Sequence, residues 1–201
     1  MEKITKLFKE PKVIGIIGNA NTGKSNLIYS ILNELSKSYS FNVYTYGLRC
    51  RYQNTIDFHS IAELEQIKNS LVIIDEMSTL FDLDNRKEKR NIENTLRLIF
   101  HNNNILILVG CGENFKKFIS AKLDVMIFKK VTFADMINGS SAKYVMMGYN
   151  GDEKGSKVLN LNEEEAILYD GLHYQKIEIP YMKGFDTKAK NVPIFVSKKD
   201  K

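Results

Sequence analysis

Residues Gly18-Asn19-Ala20-Asn21-Thr22-Gly23-Lys24-Ser25 match the phosphate-binding pattern G-x-x-x-x-G-K-[ST] at every fixed position. Each fixed residue type has a chemical reason. The glycines let the backbone curl so that successive N–H groups converge on phosphate oxygens. Lys24 is long enough to reach the β- and γ-phosphates of a nucleotide, and the Ser25 hydroxyl is a hard oxygen donor for Mg2+. Asn26 follows in the first turn of the predicted helix, whose N-terminus adds partial positive charge. At ordinary residue usage the four fixed positions coincide by chance in about 1 of 100 chains of this length, which argues against a glycine turn that binds nothing.

A second cluster lies downstream in Leu71-Val72-Ile73-Ile74-Asp75-Glu76. Four apolar residues followed by two acids read as a buried strand that delivers carboxylates to a magnesium site. Asp75 would hold Mg2+, and Glu76 would act as base for an attacking water. Small-molecule kinases, which activate a substrate hydroxyl, usually lack the second acid, so the pair favours hydrolysis. A solvated acidic turn is the plain alternative, and the upstream loop weighs against it. No Asn-Lys-x-Asp guanine reader occurs, and Asn91, Asn94 and Asn102 to Asn104 do not supply one.

Two further roles remain to be filled. A polar sensor for the γ-phosphate belongs after the next apolar run, Ile105–Val109, where Gly110-Cys111-Gly112-Glu113-Asn114 follows. Asn114 is the better hydrogen-bonding candidate there. Charge on a transferring phosphoryl group is stabilised by arginine, which in motor ATPases often comes from a neighbouring subunit. Arg86, Arg90 and Arg97 lie on or near the helix predicted over 85–101. Arg97 is the first choice and Arg90 the second, although each also suits an exposed helix face. His101, at that helix's end, suits the helix dipole. His59 and His173 have no partners at ligand spacing.

The elements that must position these groups are legible. Residues 12–17 form a strand, and the helix after the loop runs to about 37. Residues 41–46 form a second strand, and 49–58 read as loop. Ser60-Ile61-Ala62-Glu63 is a capping box that opens a short helix. The strand 71–74, the helix 85–101, the strand 105–109, a short helix over 115–121 and a strand at 125–128 complete the alternation. Strand two and the helix of 60–69, lying between the two motifs, would separate them by one extra strand. Beyond 130 the pattern changes. Strands are expected at 142–149 and 157–161 around the turn Asn150-Gly151-Asp152. A short helix is expected to start at Asn162 to Glu165, with a strand over 173–179 ended by Pro180. The expectation is one α/β domain over 1–201: a core of about 12–130 with a mostly parallel sheet covered by helices, and an antiparallel β-rich appendage of about 131–201 on the sheet edge.

Composition is permissive. The chain has 201 residues, 43% of them hydrophobic, enough for one full core. Net charge is +5, compatible with a polyanionic partner without requiring one. The lysine-rich end, Lys183 to Lys201, reads as a solvated tail that could touch nucleic acid. No apolar run approaches the ~18 residues of a membrane span, and the charged N-terminus is unlike a secretory signal. Cys50 and Cys111 are far apart in sequence and read as packing residues, which suits a reducing, cytoplasmic setting.

Taken together, Gly18 to Ser25, Leu71 to Glu76, the helix carrying Arg97-Leu98-Ile99-Phe100-His101-Asn102 and the strand Ile105 to Val109 resemble the FtsK/HerA superfamily. The resemblance covers roughly 12–130 and points to viral and phage genome-packaging ATPases and related ATPases of mobile elements. It implies a RecA-like, additional-strand P-loop NTPase that uses ATP and Mg2+. It also implies a homo-oligomeric ring, double-stranded DNA bound without sequence preference, and a host cytoplasm if viral. A viral or mobile-element protein partner is compatible with it. Family members usually carry a glutamine-type sensor after the fourth strand, where this chain has Gly-Cys-Gly. Alternatives are an ATPase of phage assembly or conjugation that acts through protein partners, and a slow ATP-dependent switch.

Overall fold

The structure is a computed structural model that describes residues 6–37, 39–48, 52, 55–85, 88–131 and 160–182. The first strand, β1 (Lys12–Ile17), runs into the glycine loop, and α1 (Lys24–Leu35) leaves it. Then come β2 (Asn42–Tyr46), β3 (Thr55–Asp57), α2 (Ile61–Gln66), β4 (Ser70–Ile74) and α3 (Glu88–His101). They are followed by β5 (Ile105–Gly110), α4 (Lys117–Ser120), β6 (Val125–Phe128), β7 (Glu165–Tyr169) and β8 (Tyr174–Glu178). All eight strands form one sheet in the order β3-β2-β4-β5-β1-β6-β7-β8. Pairings from β3 to β6 are parallel, and β6–β7 and β7–β8 are antiparallel.

Successive side chains on a strand point to opposite faces, so strands buried on both faces must be apolar throughout. That is why Val13, Ile14, Ile16 and Ile17 are all buried. Ile14, Ile16, Ile73 and Ile107 pack under Leu27, Ile28, Ile31 and Leu35 of α1. Val13, Ile17, Val72 and Leu106 pack on the other face, under Leu64 of α2 and Ile92, Leu96 and Ile99 of α3. The buried residues of α3 recur at helical spacing, Ile92, Thr95, Leu96, Ile99, and its outer face is polar. Each such aliphatic side chain contributes roughly 1.5–3 kcal/mol of burial.

The capping box is present. Ser60 Oγ accepts from the Glu63 N–H at 3.2 Å, while Glu63 Oε2 accepts from the His59 N–H at 3.1 Å, one residue before the cap. The asparagine run after α3 is a junction as well as a stop. Asn103 takes the left-handed conformation (φ 60) that ends the helix. Asn102 Nδ2 donates to the Glu65 carbonyl at 3.0 Å, and Asn104 Nδ2 donates to the Ile67 carbonyl at 2.7 Å, tying α3 to the end of α2.

Several expectations change. One strand does stand between β1 and β4, but it is β5; β2 lies on the far side of β4. Sequence order could not decide this, because parallel crossovers let later strands insert between earlier ones. Residues 55–57, read as loop, form the edge strand β3 paired with β2. The helix expected from 162 is absent. Asn162 Oδ1 accepts from the Glu164 N–H at 2.8 Å, an Asx turn that feeds β7 directly. The helix expected over 115–121 shortens to α4, preceded by a 3-10 turn at Gly112–Asn114. The strands and turn expected over 142–161 fall largely outside the described residues, as do Arg86, Cys50 and the lysine-rich tail.

Candidate active site

The parallel register sets the site. Ile17 at the end of β1 stands level with Gly110 of β5 and Phe128 of β6. Three strands therefore release their chains at the same sheet edge, where ligands bind in open α/β sheets. The Gly18 N–H donates to the Gly110 carbonyl at 3.2 Å, and the Asn19 N–H to the Lys130 carbonyl at 3.0 Å, so the loop starts pinned on both sides. It turns through two left-handed residues, Asn21 (φ 59) and Gly23 (φ 85). Asparagine tolerates that region, and at 23 a glycine opens α1 without steric cost. Thr22 Oγ1 donates to the Asn19 carbonyl at 2.8 Å, bracing the loop from within around exposed Ala20.

Lys24 folds back across the loop. Its ammonium donates to the carbonyls of Gly18 and Asn19, both at 2.8 Å. Ser25 and Asn26 lie half-buried in the first turn of α1.

At the end of β4, Asp75 is fixed by its own backbone, its N–H donating to the Tyr46 carbonyl at 2.8 Å. Gly47 (φ 76) runs so close that a Cβ there would collide with the Asp75 carbonyl. Glu76 has φ 59 and ψ 65, a left-handed conformation that a long side chain rarely adopts. Such strain persists where surrounding structure holds it and clusters at functional sites. Here Thr79 Oγ1 donates to the Glu76 carbonyl at 2.8 Å. The carboxylate is held as well: Asn114 Nδ2 donates to Glu76 Oε1 at 2.9 Å and Ser78 Oγ donates to the same oxygen at 3.1 Å.

Gly110 accounts for the unusual Gly-Cys-Gly tip. A Cβ at 110 would lie 3.0 Å from Asn114 Nδ2, so the missing side chain is the space in which the Asn114 amide sits. The structure thus brings the loop, Asp75, Glu76 and Asn114 to one edge of the sheet. It does not bring Arg97 there. Arg97 is exposed on the later half of α3 and lines a shallow cavity with Val13, Phe100 and Asp124, at the opposite edge. Arg90 is exposed near the start of α3.

Sequence reading missed Lys129. Its side chain is 0% exposed, and its Nζ donates to the carbonyls of Glu163 at 2.8 Å and Glu165 at 2.7 Å. Burial pushes its pKa down to about 8, against the opposing pull of Glu163, Glu165 and Glu164. No motif marks it, because a lysine doublet after a strand normally reads as solvated surface.

The donor set fits Mg2+. A serine hydroxyl and an aspartate at the same sheet edge are hard oxygen ligands of the kind that share the ion with substrate phosphates. Among the described residues no cluster of three or more His, Cys, Asp or Glu forms an all-protein metal cage.

No protein-family model matches the chain. No curated protein matches it in sequence. Solved structures do match. The genome-packaging NTPase B204 from Sulfolobus turreted icosahedral virus 2, in complex with ATP-gammaS, superposes with TM-score 0.62 at 16% identity, covering 87% of this chain and 100% of that one. The pCW3 conjugation coupling protein TcpA, in its monomer form with ATPgS, gives 0.59 at 15% identity over 86% of this chain and 61% of that one. EssC (ATPases 2 and 3) from Geobacillus thermodenitrificans gives 0.57 at 13% identity over 85% of this chain and 37% of that one. The chain has the α/β P-loop NTPase fold that these structures share. Among the described residues no helix is long and apolar enough to cross a membrane.

Proposed function

We propose that the chain hydrolyses ATP and couples hydrolysis to the movement or packaging of double-stranded DNA, working as a homo-oligomeric ring. The observation that carries the hydrolytic part is the Glu76 carboxylate, held by Asn114 at the end of the strand that also presents Asp75. The amides of residues 18–26 and Lys24 hold the phosphates. Lys24 exchanges its two carbonyl partners for phosphate oxygens when ATP enters. Ser25 and Asp75 would hold Mg2+, which when bound draws charge from the β- and γ-phosphates. Glu76 takes the proton of the attacking water as its oxygen bonds to the γ-phosphorus and the bridging P–O bond breaks, releasing ADP. Asn114 aims the Glu76 carboxylate. Arg97 of a neighbouring subunit is the proposed stabiliser of phosphoryl charge, consistent with its exposure and its distance from the site of its own chain.

Support for DNA comes from charge and from the packaging and conjugation neighbours. A groove between α3 and α4 is lined by Lys89, Lys116, Lys117 and Lys122, which outnumber its two carboxylates, Asp84 and Glu93. It begins two residues beyond Asn114, so a polyanion seated there would press on the segment that orients Glu76. The test is steady-state ATP hydrolysis against protein concentration, with and without duplex DNA. Turnover that rises with both supports a ring motor. Turnover that ignores both moves the reading to a slow switch or a protein-anchored assembly ATPase.

A further inference from the structure

We infer that Lys129 is a positioning residue for the phosphate loop: it fastens the back of the loop to the turn at 162–165 and sets a second ammonium behind the loop's own lysine. The inference rests on the nucleotide-loop reading. Among the described residues Lys129 is the one charged side chain in the fully buried set. Burying an ammonium costs several kcal/mol unless its protons are well bonded, so a lysine at this position needs a role that an apolar residue could not fill.

The contacts state that role. A Cβ at Gly18 would lie 2.7 Å from Lys129 Cβ, so the first loop glycine packs flat against the lysine stem. A Cβ at Gly23 would lie 2.7 Å from the Glu163 carbonyl oxygen and 3.5 Å from Lys129 Cε. Both fixed glycines therefore abut the unit formed by Lys129 and the carbonyl it holds. Glycine is needed here to admit this support as well as the phosphate. The backbone repeats the pattern, with the Lys129 N–H donating to the Ile17 carbonyl at 2.7 Å.

One residue past the loop the same hairpin grips again. Asn26 Nδ2 donates to the Pro180 carbonyl at 3.2 Å, its Oδ1 accepts from the Met182 N–H at 2.9 Å, and Ser30 Oγ donates to the Pro180 carbonyl at 3.0 Å. Lys129, the turn before β7 and the segment 180–182 after β8 thus clasp the loop at its start, its end and the first two turns of α1. Lys129 is the member of this clasp that carries positive charge. Phosphates on the front of the loop feel that charge through buried backbone, where screening is weak. The other charged groups acting on it are the carboxylates of Glu163, Glu165 and Glu164.

The test is ATP binding by calorimetry, together with steady-state hydrolysis, on the full-length chain and on Lys129→Met. The expected result is ATP affinity about tenfold weaker, with KM raised to match and kcat within about twofold. A variant that melts lower yet binds ATP within twofold of wild type would make Lys129 a mere strut and overturn the inference. If Lys129→Met does not fold, the wild-type protein decides. Its ATP affinity should fall severalfold between pH 7.5 and 9.5 as Lys129 loses its proton, given a pKa of about 8, and a flat profile overturns the inference. Lys24→Ala separates the two readings. If it binds ATP like wild type, the nucleotide-loop reading itself fails. If it loses ATP while Lys129→Met keeps it, only the role of Lys129 fails.

Discussion

The side-chain amide of Asn114 donates to Glu76 Oε1 at 2.9 Å, across a space that exists because residue 110 is glycine. Residue 114 leaves β5 and residue 76 leaves β4, so the bond links the tips of two adjacent strands. If Glu76 is the base, its pointing depends on this bond. Asn114→Ala should lower kcat about tenfold with ATP affinity unchanged. Glu76→Gln should lower kcat by about 10² or more, the usual range for a lost general base, while nucleotide stays bound. Single-turnover hydrolysis and equilibrium ATP binding check both. Loss of binding in Glu76→Gln would place that residue in nucleotide recognition instead.

Gly110→Ala tests the same relationship from the other side. The added methyl meets the Asn114 amide at 3.0 Å, so the amide must shift by a few tenths of an ångström. The kcat should fall toward the Asn114→Ala value, and the double variant should be no worse than either single one. Additive losses in a double-mutant cycle would show that residue 110 acts independently of Asn114.

Gly47 reports on Asp75. With φ 76 and the Asp75 carbonyl against its missing side chain, Gly47→Ala combines backbone strain with a direct collision. Strained residues cost about 1–3 kcal/mol each, so denaturant unfolding should show a loss in that range or above it. Magnesium-dependent ATP affinity should fall at the same time, because the displaced backbone carries Asp75. An unchanged unfolding midpoint would mean the loop of residues 47–48 moves aside without cost.

How far the sequence reached follows from which interactions are local. The loop, the Asp75-Glu76 strand and the capping box at Ser60 are written within a few residues, and each was readable. The parallel sheet was readable because strands buried on both faces must be apolar throughout, as 71–74 and 105–109 are. The position of β5 between β1 and β4 was not, since strand order is a long-range property. Nor was Lys129, whose partners are main-chain carbonyls of Glu163 and Glu165, 34 and 36 residues away. The turn at 162–165 misled because a run of three glutamates after asparagine favours a helix start, whereas Asn162 closes an Asx turn and Ala166, Ile167 and Leu168 are drawn into the sheet. Asn114 is legible in the sequence only as a polar candidate, because its bond to Glu76 depends on the space left at Gly110.

Lys129 also predicts how stability varies with pH. Its folded pKa is depressed to about 8 by burial, so the cost of burying the charge is present below that pH. Between about 8 and the ordinary lysine value of ~10.4 the unfolded chain binds the proton and the folded chain does not, so stability rises with pH. The whole gain is at most about 3 kcal/mol, at 1.36 kcal/mol per unit. Urea unfolding of wild type from pH 7.5 to 9.5 should show this rise, and Lys129→Met should lack it. Equal slopes in the two proteins would mean that Lys129 keeps its proton throughout.

The groove between α3 and α4 yields the prediction that bears most on the DNA reading. Lys116 is half-committed, paired with Asp84 Oδ1 at 3.1 Å, and Lys89 lies over the Phe118 ring at 5.4 Å. Lys117 and Lys122 are exposed, and both line the groove. If the groove follows a DNA backbone, each lysine neutralises one phosphate and releases a counterion, contributing about 0.9 to the slope of log affinity against log salt. Lys117→Ala with Lys122→Ala should therefore weaken duplex binding at low salt and flatten that slope by about 1.8, equally for unrelated sequences. Fluorescence anisotropy with two duplexes of different composition, from 50 to about 200 mM salt, reads both quantities. A double variant with the wild-type slope would remove this groove from the DNA path. Weakening confined to one duplex would point to base contacts, which lysines on an open groove are poorly shaped to make.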